Sequence, residues 1–182
     1  TSRDYPIVPF FQSMNPGFLL PDSPAGELLT FNSNSFGRVI RNDTQLLYEE
    51  LRKSGGLAIP HTSGSTDMGT DWGDNDPKLD PVVEIYQRDR VNYEEKNAPR
   101  GFREGEERKA PGGYFEPGLV WNAWKKGYRL GVIASSDHFS THISYAMVYS
   151  PSRDRRAIFD AIRKRHTYGA TDNIVLEFWM GD

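Results

Sequence analysis

Cysteine is absent from this chain of 182 residues. Its absence excludes disulfides, thiolate zinc sites, iron–sulfur clusters and cysteine nucleophiles. The sequence also lacks any apolar run near the roughly 18 residues that a membrane-spanning helix needs, and its first residues lack the basic start and apolar stretch of a signal peptide. We therefore expect a soluble protein without a membrane segment, and these features leave its compartment open.

An excess of basic residues is missing as well. The chain has 22 Lys and Arg against 25 Asp and Glu, which gives a net charge of -3. Domains that bind nucleic acids or membrane surfaces usually carry a basic excess, so we expect neither partner. The hydrophobic fraction of 37% and the aromatic fraction of 13% are sufficient for a folded core. The length predicts about one domain.

Hydrophobic periodicity divides the chain into an arm and a domain. Residues 1–40 contain five prolines and no sustained helical or strand period, so they are predicted to form an irregular arm. Residues 41–182 are predicted to form a single α/β domain with long loops. The first predicted helix has its N-cap within 42–44 and ends within 54–56, and the other predicted helices cover 116–127 and 152–165. The predicted strands cover 57–59, 81–86, 130–134, 143–149 and 174–180. This alternation predicts a mostly parallel sheet or a partial, distorted β/α barrel.

Side chains that can bind metals stand at the ends of three predicted strands. His61 follows the first strand, Glu84 lies near the end of the second, and Asp137 and His138 follow the third, with His142 four residues later. The carboxyl ends of parallel strands converge on one crevice. Imidazole and carboxylate are ligands of zinc, manganese and iron. The pattern predicts a divalent metal site built from these five residues.

Each candidate also has an ordinary structural role open to it. A histidine such as His61 often bonds a backbone carbonyl, and an aspartate such as Asp137 often caps a turn. Glu84 can orient a ligand without touching the metal. Only one of His138 and His142 is expected to coordinate.

Two further groups of polar residues are weaker candidates. The acidic stretch over residues 67–80 lacks the ligand order of an EF-hand, so turns and caps are the favoured interpretation over calcium binding. His166 follows three basic residues at a predicted helix end, and a role in binding phosphate is the less favoured interpretation there.

Three motifs carry a resemblance to a known family. Residues Ile59–Ser63 (IPHTS), Val83–Tyr86 (VEIY) and Ile133–His138 (IASSDH) resemble the C-terminal part of an uncharacterised bacterial family related to the PHP (polymerase and histidinol phosphatase) metallohydrolases. The resemblance covers most of residues 56–180. It implies a distorted β/α barrel whose multinuclear metal cluster activates water, typically to hydrolyse phosphoesters. His61 then corresponds to a mid-chain histidine ligand and Asp137 to a late aspartate ligand.

The sequence departs from the superfamily pattern in two places. The opening histidine-any-histidine motif is missing, and Asp137 and His138 are adjacent where the superfamily separates the pair by one residue. The chain also begins with Thr rather than Met, and we expect it to be the C-terminal part of a larger barrel, with the other half on a removed segment or a partner chain. The leading hypothesis is a metal-dependent hydrolase of a phosphoester or similar small molecule. The alternative is a non-catalytic binding or structural module, or a fragment, with an incomplete metal cluster.

Overall fold

The computed structural model describes residues 7–10, 44–66, 69–87, 90–91, 97, 103–106, 113–137 and 142–180. Its strands are β1 (Ile7–Phe10), β2 (Val82–Gln87), β3 (Arg90–Val91), β4 (Gly131–Ser135), β5 (Tyr145–Tyr149) and β6 (Thr167–Ala170). Its helices are α1 (Thr44–Ser54), α2 (Val120–Lys125) and α3 (Arg155–Arg163), with a 3₁₀ turn at Glu116–Gly118. Apart from β1, the predicted irregular arm lies outside the described residues.

The strands form two three-stranded sheets, ordered β3-β2-β4 and β1-β5-β6. β2 and β4 are parallel, and their register runs from Val82 beside Gly131 to Gln87 beside Ser135. The pairs β1–β5, β2–β3 and β5–β6 are antiparallel. The expected parallel arrangement therefore holds only for β2 and β4 among the described strands. These strands close no barrel, and a partial barrel stays a prediction.

The two sheets meet where β6 packs on β4. A Cβ atom added to Gly169 would lie 3.0 Å from both the Cβ and the backbone nitrogen of Ala134. Such a distance is tighter than ordinary van der Waals contact, so only glycine fits at this position without moving β4. The close approach makes the two sheets one packed unit.

The β2–β4 pair is covered on both faces. Val82 belongs to a buried cluster with Phe159 and Ile162 of α3, whereas Val83 belongs to a second buried cluster with Val120 and Ala123 of α2. Successive side chains of a strand point to opposite faces, so the two helices lie on opposite sides. A strand buried on both faces is what the continuous apolar sequence of β4 predicts.

α3 begins later than its sequence predicts. Ser152 was the expected cap, but the helix starts at Arg155 and Asp154 is its N-cap. The Oδ1 atom of Asp154 accepts a hydrogen bond of 2.9 Å from the backbone N–H of Ala157, while the Ser152 hydroxyl donates to the Asp154 carboxylate. A carboxylate at this position satisfies an otherwise unpaired N–H group and interacts favourably with the helix dipole.

Two predicted strands are not formed. Only Leu57 makes a strand-type bridge in the segment 57–59, and residues 174–180 form no strand, whereas β6 at Thr167–Ala170 was not predicted. A strand requires a neighbouring backbone, and the backbone of Ile174 and Leu176 is bonded by tyrosine hydroxyls instead. In the described part of the chain, no helix has the length and apolar character to span a bilayer.

Candidate functional site

The segment that carries His61 lies alongside β2. The backbone N–H of Ala58 donates to Leu79 at 2.9 Å, and the N–H of Glu84 donates to the carbonyl of Pro60 at 3.0 Å. These bonds hold the chain extended from 58 to 60 and deliver His61 beside Glu84. The imidazole Nδ1 of His61 lies 3.3 Å from the Thr62 hydroxyl.

Glu84 connects this segment with the carboxyl end of β4. Its side chain is fully buried. One carboxylate oxygen accepts a hydrogen bond of 3.3 Å from the backbone N–H of Thr62, and the other accepts one from the hydroxyl of Ser135. A buried carboxylate is strongly destabilising unless it is hydrogen-bonded, so these donors stabilise Glu84 in place. Glu84 is thereby bonded both to Thr62, which follows His61, and to Ser135, which lies two positions before Asp137.

Two residues of this region have a left-handed backbone. Thr62 has a φ of 47° and Asp137 has a φ of 63°. Asparagine and aspartate reach this conformation fairly readily, but a β-branched residue such as Thr62 rarely does. Backbone strain of this kind costs on the order of 1–3 kcal/mol and collects at functional sites. Thr62 adjoins the candidate ligand His61, and Asp137 is itself a candidate ligand; Asn97 and Arg165, elsewhere in the described part of the chain, also have a left-handed backbone.

The turn after His61 is also held by hydrogen bonds from residues outside β2. Thr70 donates its N–H to the carbonyl of Ser63 at 3.1 Å, and Phe115 donates to the carbonyl of Gly64 at 2.7 Å. Gly118 packs so closely that an added Cβ would lie 1.8 Å from the Ser63 carbonyl oxygen. Contacts from β2 and from the segment before α2 therefore fix the conformation of this turn.

Ser136 organises the loop that follows β4. Its hydroxyl oxygen accepts hydrogen bonds from the N–H groups of Ile143 at 3.1 Å and Ser144 at 3.0 Å, and the hydroxyl donates to the Ser144 carbonyl at 2.8 Å. The two ends of the loop are therefore held together by the buried side chain of Ser136. Asp137 lies at its beginning and the exposed His142 near its end. His138 lies outside the described residues.

The donor atoms are chemically suited to a divalent ion, but the described residues do not assemble a complete ligand set. A histidine that binds a metal usually donates its other ring N–H to an oxygen, and at His61 the Thr62 hydroxyl is the oxygen near Nδ1. Within the part of the chain that the structure describes, no three His, Asp or Glu side chains come together closely enough to hold a metal ion. Both carboxylate oxygens of Glu84 accept hydrogen bonds from protein donors, and its part in a metal site stays a prediction.

His166 lies away from these residues. The preceding Arg165 packs at Gly131, because an added Cβ on Gly131 would lie 2.8 Å from the Cβ of Arg165. Gly131 is the first residue of β4, and Ser135 is its last. His166 therefore lies near the opposite end of β4, and the less favoured interpretation, in which it binds phosphate, gains no support from proximity to His61 and Asp137.

The acidic loop makes turns and caps, as predicted for its described part. Asp71 Oδ1 accepts from the N–H of Gly73 at 2.7 Å, and Asp76 Oδ1 accepts from the N–H of Lys78 at 3.0 Å. The other oxygen of Asp76 pairs with Arg52 of α1 at 2.8 Å. These bonds fix the loop on α1 by ordinary hydrogen-bonding and charge contacts.

The last aspartate of this loop is in a different environment. Asp80 is fully buried, and its Oδ2 atom accepts hydrogen bonds from the hydroxyl of Tyr48 and, at 2.9 Å, from the side-chain amide of Asn75. Its Oδ1 atom has no hydrogen-bond partner among the described residues. Burial raises the pKa of Asp80 to about 7. Burial, together with the bond to Asp80, also raises the pKa of Tyr48.

Sequence reasoning missed three residues of the candidate site. Thr62, Ser135 and Ser136 are buried and make the hydrogen bonds that position His61, Glu84 and the loop after β4. The available signal was the polar pair Ser135-Ser136 directly after a continuous apolar strand.

Comparisons of the chain with protein-family models, with curated proteins and with solved structures found no match. The resemblance to PHP metallohydrolases therefore rests on the sequence motifs alone.

Proposed function

We propose that the chain is a metal-dependent hydrolase of PHP-like type that acts on a phosphoester or a similar substrate. The observation that carries the proposal is the placement of Glu84. Its buried carboxylate joins the strained turn beside His61 to the strand end before Asp137. The left-handed backbone of the β-branched Thr62, directly after His61, supports the proposal, because such conformations cluster at functional sites.

In the proposed site, His61, Asp137 and either His138 or His142 hold one or more zinc, manganese or iron ions. A divalent ion supplies Lewis acidity, which lowers the pKa of bound water and neutralises charge on a phosphoryl group. The contribution of the chain is positional. Glu84 fixes the turn at Thr62, and Thr62 in turn contacts the ring of His61.

Elemental analysis and a hydrolysis assay test the proposal. The chain is purified without added metal, its metal content is measured, and cleavage of p-nitrophenyl phosphate is followed with added Zn²⁺, Mn²⁺ or Fe²⁺. We expect at least one bound equivalent, lost in His61→Ala and Asp137→Ala. His166→Ala is the matched control, since it removes an imidazole at the other end of β4, and it should keep both metal and activity.

The second candidate function is a non-catalytic binding or structural module. It is favoured by the lack of any group of three potential ligands among the described residues. The same measurements separate the candidates, because a folded chain that binds no metal and cleaves no phosphoester supports the module and contradicts the hydrolase.

A further inference from the structure

Residues 174–180, here named the C-terminal apolar segment, are exposed along their whole length. The exposed fractions are 50% for Ile174, 70% for Val175, 49% for Leu176, 75% for Phe178, 70% for Trp179 and 89% for Met180. The only charged residue is Glu177, and the segment has no proline or glycine. Large contiguous apolar surfaces of this kind mark interaction sites.

The apolar area is large enough to matter for assembly. A buried aromatic side chain covers roughly 150–250 Å², so Phe178 and Trp179 together expose roughly 300 Å². The four aliphatic side chains raise the exposed total to roughly 500–600 Å², at the upper end for the largest patch of a monomer. A standard interface buries about 800 Å² on each partner. The exposed apolar area of the segment is therefore smaller than one side of such an interface but of the same order.

Among the described residues, the hydrogen bonds to the backbone of the segment lie along one edge. Tyr168 donates its hydroxyl to the carbonyl of Ile174 at 2.9 Å and accepts from the N–H of Leu176 at 3.0 Å, and Tyr149 donates to the carbonyl of Leu176. In an extended chain, alternate residues direct their backbone groups to opposite edges. The groups of Val175, Glu177 and Trp179 belong to the other edge, and within the described residues they form no backbone hydrogen bond.

We propose that a second copy of the same segment pairs with this open edge and covers its side chains. Short segments with high β propensity, low charge and no proline pair readily with identical segments. A second copy of the segment supplies backbone hydrogen-bond partners for the open edge and apolar side chains that pack against those of the first copy. The two copies are antiparallel about a two-fold axis, so the assembly closes as a dimer.

Charge selects the register of this pairing. With Glu177 on the two-fold axis, two carboxylates would lie directly opposite each other, which is destabilising. With Leu176 on the axis, Ile174 lies opposite Phe178 and Val175 opposite Glu177. This register keeps the glutamates apart and still uses the outward backbone groups of Val175 and Glu177.

Sedimentation equilibrium of the full chain over a range of concentrations tests the dimer. We expect the mass to rise from 20.7 kDa to twice that value. Phe178→Glu should weaken dimerisation at least tenfold, since it places a charge in an apolar interface. Trp121→Glu is the matched control, because Trp121 is an exposed aromatic residue (43%) on α2, and it should dimerise like the unaltered chain.

Cross-linking tests the register, and the lack of native cysteine makes the result unambiguous. Under mild oxidation, Leu176→Cys should form a disulfide dimer at least ten times faster than Trp121→Cys. A monomer at every concentration, a mass that grows beyond two chains, or equal dimerisation by Phe178→Glu would overturn the proposal. Equal cross-linking rates would overturn the register. Amides of 175–179 protected in a monomer would show that the chain covers its own segment.

Discussion

Replacing Asp80 with asparagine should remove a pH dependence from the stability of the protein. The buried carboxyl of Asp80 has a pKa of about 7 in the folded chain, against an ordinary value of 3.8. The folded state therefore keeps its proton over a pH range in which the unfolded state has lost it. Stability from this group is complete below about pH 4 and declines as the pH rises to about 7.

The size of the effect follows from the shift in pKa. Each pKa unit corresponds to about 1.4 kcal/mol, so a shift of about three units gives a loss of about 4 kcal/mol in the free energy of unfolding between pH 4 and pH 7. Asparagine has nearly the same shape, stays neutral, and can still accept from Tyr48. Asp80→Asn should be the more stable protein at pH 8 and lose this advantage near pH 4.

Urea unfolding at several pH values from 4 to 8 measures the difference between Asp80→Asn and the unaltered chain. Asp76→Asn is the control, because the pKa of Asp76 is shifted in the opposite direction to that of Asp80. Although burial raises the pKa of Asp76, the Lys78 amide and the Arg52 guanidinium outweigh it and lower the pKa overall. The contribution of Asp76 is therefore lost as the pH falls through that lowered pKa. A difference for Asp80→Asn that stays constant from pH 4 to pH 7 would refute the reasoning.

Four other substitutions, one of them a control, are compared with the unaltered chain by urea unfolding. Gly118→Ala should lower the free energy of unfolding by more than about 3 kcal/mol, because the new Cβ would overlap the Ser63 carbonyl. Gly127→Ala is the control and should cost only about 1 kcal/mol, because Gly127 has a φ of +88° but open space around it. Equal losses for the two variants would contradict this reasoning. Trp72→Phe should cost about 1–3 kcal/mol, since its indole N–H bonds two buried carbonyls. Glu84→Gln should cost a similar amount and, in the proposed metal site, weaken metal binding about 10–100-fold; unchanged affinity would exclude its positioning role.

Elements with a strong local pattern were predictable from the sequence. The amphipathic spacing of α1 and the apolar runs of β2, β4 and β5 gave bounds close to those observed. For these elements, the periodicity of apolar residues and the flanking turn residues are sufficient to predict the element and its bounds. The N-cap of α3 was misplaced by two residues, since Ser152 and Asp154 are both good caps and only tertiary structure selects between them.

The pairing of strands was less predictable. β5 and β6 flank a helix, a pattern that usually gives parallel strands, yet they are antiparallel. Arg165, which follows α3, has a φ of 63°, and nothing in its residue type signals this conformation. The segment 174–180 has the composition of a strand, but composition cannot supply the neighbouring backbone that a strand requires.

The candidate site was predictable in residue type and less so in arrangement. Polar residues in or after strongly apolar runs suggested His61, Glu84 and Asp137 as candidates, although residues 57–59 form no strand and Glu84 lies within β2. The role of Glu84 as a bridge depends on hydrogen bonds with Thr62 and Ser135, which are distant in sequence. Such contacts follow from sheet order and register, which a single sequence does not encode locally.

The bridge at Glu84 also bears on how the protein reaches its native state. Thr62 and Ser135 are separated from Glu84 by 22 and 51 positions. High contact order slows folding, because loops must close before distant contacts can form. The turn at His61 can therefore acquire its left-handed residue only after both segments have docked on β2. We expect newly synthesised chains to complete their helices early and this corner of the sheet last.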